Sequence, residues 1–444
     1  MDALRVGSLL VVVIGHWLMV VLTREGEITN ALTIVPSLKP LTWALQVMPL
    51  FFLVGGVANA YSLDSLDRRS GAVKGRYAVF LRARAARLLR PSLAFLTVWV
   101  AFGMVANLTG LTRGPDGGFV REALVRVPQL LWFIGIYLGV CACAPPLLRL
   151  HRRWGLWVVV ALVALAVLVD IIRFTGGPAL LGYLNFAFVW LALQQLGFGW
   201  HDGLLTSAGG VVMSVVGWGG MLLAVAVGPY PVSMVGLPGE AVSNMGPPTA
   251  ALLAQGIGMA GLAVLLRPAM ARVLVRRRVW RGVVMAAPFA MTAFLWHLTA
   301  LMLVLLSLRW LGIDQPPVAS AAWWATRPVL FSVLAFVTAG LVAVFVRFDG
   351  GPRAPATPAG QRRWSDAVAA GSAPVIVLGI LMVSVVGVDV LGNRGVFFVL
   401  GDLTPAAALA VMGLGLGLLA LTRPPGRRRP SDPAPAARAH RGVP

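Results

Sequence analysis

Residues 2–17 read DALRVGSLLVVVIGHW: a charged start, then an almost unbroken apolar run that ends on a lone histidine. A helix made of this run offers water no polar face. A bilayer suits it, because a helix satisfies its own backbone hydrogen bonds where no water is present. The rest of the chain repeats the pattern. Of 444 residues, 58% are hydrophobic and only 12% are charged, about half the ~25% charge of an ordinary soluble domain. So few charges cannot cover a soluble surface. A soluble enzyme, a nucleic-acid binder and a disordered scaffold are excluded as descriptions of the whole chain.

A crossing needs about 20 apolar residues. Twelve segments meet that need: 6–23, 43–63, 91–110, 129–148, 154–173, 180–199, 208–228, 249–266, 283–308, 328–346, 372–391 and 403–422. The expected fold is an all-α polytopic membrane helix bundle of about twelve transmembrane helices. The net charge of +21 comes from 37 basic residues, all arginine except Lys39 and Lys74. They sit in short blocks between apolar runs, which marks cytoplasmic loops and not a nucleic-acid face. With the N-terminus inside, 28 of the 37 fall on the cytoplasmic side. Both termini are therefore expected inside, with anionic lipids facing the arginine blocks.

Residues 348–366, FDGGPRAPATPAGQRRWSD, read as a cytoplasmic linker. They divide a ten-crossing unit, 1–347, from a further two-helix segment, 367–422. Residues 423–444 read as a disordered basic tail. The polar stretch 229–248 is the largest candidate for a structured loop on the outside. Cys141 and Cys143 lie in one apolar run, at a spacing that points them to different sides of a helix. They read as packing residues, with no disulfide and no metal site. The first run is too long for a cleavable signal peptide and lacks a cleavage site.

Ionisable residues inside membrane helices are costly and so are candidates for function. Of five histidines only His16 and His297 lie inside apolar runs; His151, His201 and His440 fall in loops or the tail. Arg5 and His16 are eleven residues apart, three turns or about 16 Å along a helix, and share one face. An elongated anionic substrate entering at Arg5 can reach His16. His297, in FLWHLTALM, is counted as about fourteen residues into the ninth crossing, at a depth similar to His16. Each histidine can also be read as a plain hydrogen-bonding partner between helices, and Arg5 as a plain topological signal.

On these residues the chain resembles the acyltransferase-3 family of integral membrane acyltransferases. DALRVGSLLVVVIGHW is similar to the family's first helix, MPLFFLVGGVANAYS to its second crossing, and FLRARAARLLRP to its cytoplasmic arginine region. FLWHLT is similar to its Leu-Trp-His motif. The resemblance spans about residues 1–347. One departure stands out: LLWFIGIYLGV has Trp132 and then Tyr137, with no glutamate where many members carry one.

The resemblance implies transfer of an acyl group, with acetyl expected, from cytosolic acyl-CoA to a hydroxyl of a cell-envelope carbohydrate or glycoconjugate. It implies that His16 is the general base and that Arg82 and Arg84 bind the coenzyme. Arg5 would grip the coenzyme at the mouth, with Asp2, His297 and Trp296 in supporting places. Acyl-CoA is a donor substrate here; no permanently bound cofactor, metal or nucleic acid is expected. The chemistry fits, since a positioned imidazole can take the proton of a hydroxyl attacking a thioester. Acylation of an amine or a lipid-soluble molecule, a transporter, and a non-catalytic partner in envelope biosynthesis remain open. No crossing has a carboxylate near its middle, which weighs against a proton-coupled transporter.

Overall fold

The computed structural model describes residues 1–22, 28–70, 75–349, 364–392, 395–398 and 401–423. Helices dominate: α1 (Asp2–Met19), the short α2 (Ala31–Ile34) and α3 (Leu41–Leu45), α4 (Met48–Ser70), α5 (Arg76–Leu108) and α6 (Gly117–Gln129). Next come α7 (Leu131–Trp154), α8 (Trp157–Phe174), α9 (Asn185–His201), α10 (Ser207–Val227) and α11 (Ala250–Leu274). The series closes with α12 (Arg277–Ala286), α13 (Ala290–Trp310), α14 (Ala321–Phe345), α15 (Ser365–Val386) and α16 (Pro405–Leu421). Two small hairpins, β1 (Val20–Leu22) with β2 (Ile28–Asn30) and β3 (Val396–Phe398) with β4 (Gly401–Leu403), follow α1 and α15. Among the described residues, eleven helical stretches are long and apolar enough to cross a membrane. The twelfth, α16, has 17 residues and is shorter.

Several boundaries differ from the sequence reading, each for a physical reason. The basic stretch before Pro91 is not a loop, because α5 begins at Arg76 and carries Pro91 inside it. Arginine and alanine are good helix formers, so RARAARLLR continues the helix beyond the apolar span. The ninth crossing is split: α12 ends at Ala286 and α13 starts at Ala290, with Pro288 between them. Proline has no N–H to donate, so the break falls there. α12 buries none of its residues; Arg277, Arg278 and Arg281 alternate with Trp280 and valines, the pattern of a helix lying along an interface. His151 and His201 do not lie in loops but in the last turns of α7 and α9.

α4 and α9 cross at a point where only glycine fits. A Cβ on Gly56 would lie 2.2 Å from the Gln194 carbonyl oxygen, and one on Gly197 2.2 Å from that of Leu53. Small residues of this kind let membrane helices approach closely. Beside this crossing Asn59 and Gln194, both fully buried, share a hydrogen bond of 3.0 Å. Cys141 is buried against Asn59 while Cys143 is exposed, so the two cysteines do face different sides.

The stretch 229–248 is pinned to α3. The indole of Trp43 donates to the Val232 carbonyl at 2.7 Å and Gln46 to that of Met234 at 3.1 Å. Lys39 pairs with Glu240 at 2.7 Å. The last two helices join the same core: Ile376, Ile380 and Val383 of α15 are buried in it, and Gly135 of α7 faces Ile380. Residues 350–363 of the linker and 424–444 of the tail lie outside the described residues.

Candidate functional site

α1 buries Leu9, Val13 and Trp17, spaced by four, along with Ser8 and Gly15. That stripe sets the helix against α13 and brings His16 to His297. Nδ1 of His16 is 2.7 Å from Nε2 of His297. The rings are parallel to within 3° with centroids 5.0 Å apart. The other nitrogen of His297, Nδ1, is 2.6 Å from the Phe294 carbonyl oxygen, and the Trp17 indole donates to the His297 carbonyl at 3.3 Å. His297 is completely buried and His16 only half-buried.

These contacts fix the tautomers. A carbonyl oxygen only accepts, so His297 Nδ1 carries the hydrogen. In a neutral ring His297 Nε2 then holds a lone pair and accepts from His16 Nδ1–H. A neutral His16 is thereby left with its lone pair on Nε2, which has no hydrogen bond among the described residues. The pair meets although the depth count for His297 began too early: it lies seven residues into α13, and α13 starts only at Ala290.

Toward the start of α1 lies a cationic layer. Arg5 is partly buried and sits 4.0 Å from Asp2, the limit of an ion pair. Arg87, on α5, is within electrostatic range of Arg5, Arg84 and Asp2. Tyr137 of α7 feels all three arginines, and its ring lies against Gly55 of α4. Arg84 donates to the Ala58 carbonyl at 2.7 Å and to Ser62 Oγ at 2.5 Å. Arg82 points elsewhere, donating to the carbonyl and hydroxyl oxygens of Thr422 at the end of α16.

The geometry thus groups Arg5 with Arg84 and Arg87, and separates Arg82 from them. Arg87 was missed by sequence reading, yet the signal existed: residues 84 and 87 are three apart and share a helix face, while 82 and 84 do not. Trp296 faces away from the imidazoles, stacked on Phe345 at 3.8 Å and edge-on to Phe95 at 5.4 Å. Trp132, where the family's glutamate segment begins, packs on Trp190 and Phe133.

Two carboxylates hold the helices that carry these groups. Asp349 caps α13, accepting from the Thr292 hydroxyl at 2.5 Å and its N–H at 3.2 Å. Burial pushes the Asp349 carboxyl up from its ordinary range. Asp366 accepts from the N–H groups of Gly75 at 3.0 Å and Ala78 at 2.8 Å, at the first turn of α5. Among the described residues no cluster of three or more His, Cys, Asp or Glu is placed to hold a metal ion.

Apolar helices thus carry an imidazole pair, with arginines toward one end. A family model described as an acyltransferase domain matches residues 1–347. The chain belongs to this acyltransferase-3 family and is a multi-pass membrane acyltransferase. No curated protein and no solved structure gives a match.

Proposed function

We propose that the protein moves an acyl group from acyl-CoA to a hydroxyl of a cell-envelope carbohydrate, with His16 Nε2 as the general base. The observation that carries this reading is the 2.7 Å contact between His16 and His297. It turns a lone membrane histidine into an oriented one. Nε2 takes the proton of the acceptor hydroxyl as its oxygen attacks the thioester carbonyl carbon. The C–S bond then breaks, the thiolate of coenzyme A leaves, and the proton passes from the imidazolium to that sulfur. His297 plays the part of an orienting partner: it accepts from His16 Nδ1–H and so keeps the basic nitrogen on the substrate side.

Arg5, Arg84 and Arg87 suit the phosphates of the coenzyme, because planar guanidinium groups bind such oxygens through paired N–H donors. Three turns of α1 separate Arg5 from His16, about 16 Å, so an extended pantetheine arm lies along that helix. In this reading the arginine layer faces the cytosol in the plasma membrane, and both termini lie on that side. The deciding experiment measures acyl transfer by membranes carrying His16→Ala, with insertion checked by protein level. Loss of transfer with normal insertion is the expected result; retained transfer removes the base role.

A further inference from the structure

At the end of α1 opposite Arg5, packing leaves a cation buried without a counter-charge. Arg327 of α14 is only 5% exposed. Its guanidinium donates to the Trp323 carbonyl at 3.2 Å, lies 3.5 Å from Gln315 Oε1 and from Thr326 Oγ1, and sits 4.4 Å over the Trp323 ring. All of these partners are neutral, and 3.5 Å is the outer limit of a hydrogen bond. Among the described residues Arg327 enters no ion pair. Taking a charge out of water costs several kcal/mol, so buried charges are ordinarily paired.

Two more donors beside it lack acceptors. Gln315 Nε2 and Trp323 Nε1 are buried and unbonded among the described residues. Gln315 also lines a pocket of about 360 Å³, together with Leu22, Asp116, Arg309, Trp310 and Asp314. Asp116 is already engaged, by Arg309 at 2.7 Å and by the Trp310 indole at 2.8 Å. Asp314 is exposed at the rim. Arg327 and Trp323 lie behind this lining, reached through Gln315, and the guanidinium with the two unbonded donors there fits an oxyanion.

The place matters as much as the charge. Trp323 packs with Val21, two residues past the end of α1. Phe331, four residues along α14 from Arg327, meets Trp17 at 6.0 Å. Arg327 is therefore one helical turn, about 6 Å, from the layer of the imidazole pair. The exposed face of Trp310 at the rim offers a platform for the apolar side of a sugar ring.

We propose that Arg327, with Gln315 and Trp323, binds the acid group of an anionic acceptor, a carboxylate or a phosphate, that enters through this pocket and presents a hydroxyl to His16. The inference rests on the acyltransferase reading for its last step only; the binding step stands by itself.

The test follows thermal stability of the full-length protein in neutral detergent, titrated with glucuronate, glucose 1-phosphate and glucose. The two acids are expected to raise the Tm and glucose is not. Arg327→Gln should weaken apparent affinity for the acids at least about tenfold, the loss of a hydrogen bond to a charged group. Arg327→Lys and Gln315→Leu should lie between. His16→Ala should bind the acids as the wild type does, whether or not it transfers, so failure of the base role and failure of this site are read separately. An equal response to glucose, no response to either acid, or an unchanged response in Arg327→Gln overturns the proposal. A final arm compares nanodiscs of phosphatidylcholine with and without phosphatidylglycerol. Arg327-dependent stabilisation by phosphatidylglycerol that blocks glucuronate would assign the site to a lipid headgroup and overturn the acceptor assignment.

Discussion

His16 and His297 are held through three of their four ring nitrogens, by each other and by the Phe294 carbonyl, which leaves His16 Nε2. At the start of the same helix layer the arginines are held more loosely: Arg5 has a 4.0 Å contact to Asp2, Arg84 has neutral partners on α4 and lies over the Phe80 ring, and Arg87 has Asp2 and Asp349 within electrostatic range. The difference follows the tasks assigned to them. A base has to keep one lone pair on one line, so its orientation is fixed before substrate arrives. Phosphates are large, multiply charged and tolerant of angle, so a loose group of planar donors serves them.

The strongest way to break this contrast is to remove the proposed base. His16→Ala should lower acyl transfer by about 100- to 10,000-fold, the range of general-base catalysis. His297→Gln, which can still accept from Nδ1–H, should retain more transfer than His297→Leu. Equal loss in both would mean that the second ring acts by packing alone. At the arginine layer the expected effect moves from kcat to KM. Arg84→Ala with Arg87→Ala should raise KM for acyl-CoA about tenfold or more, one lost charge-assisted bond being worth roughly 1.5–3 kcal/mol. Arg82→Ala alone should leave KM nearly unchanged, because that side chain is turned to Thr422; an equal rise would return Arg82 to the coenzyme.

Smaller effects test the supports. Asp366→Ala removes the acceptor of two N–H groups at the start of α5. It should cost about 1–2 kcal/mol, read as a lower Tm in detergent, with a modest rise in KM for acyl-CoA. The smallest effect concerns Asp116, whose carboxyl is held below its usual range by the Trp310 indole and the Arg309 guanidinium. A carboxyl depressed in the folded state stabilises fully above its unfolded value, near 3.9. That stability fades as pH falls through the lower folded value. Between pH 6 and pH 3 the Tm of Asp116→Asn should fall less than that of the wild type, by an amount within the ~1 kcal/mol of a surface ion pair.

Much of this was legible in the residues. His16 and His297 announce themselves because an imidazole amid leucine and valine has no reason of solvation to be there. The apolar runs give the helices, since a bilayer leaves the backbone few alternatives. The rest depends on neighbours that no window of sequence contains. Nothing near His297 says that it meets a ring 281 residues earlier. The arginines of α5 read as a loop because charge signals solvent, although the same residues favour helix. Asp349 reads as the second residue of a linker, yet it closes the N-terminus of α13. Arg87 was one helical turn from a residue already singled out, and counting by face instead of by motif finds it.

The cap that Asp366 places on α5 joins the two sides of the point where the family match ends. The family match ends at residue 347, but the helix bearing Arg84 and Arg87 takes its first acceptor from residue 366, and Arg82 closes on residue 422. The boundary drawn by kinship is therefore not a place where the folded body can be cut. A transplant of residues 1–347 onto another carrier would take the imidazole pair with it and leave behind the clamp on the arginine helix. A transplant that keeps the clamp has to carry Asp366 and Thr422 as well.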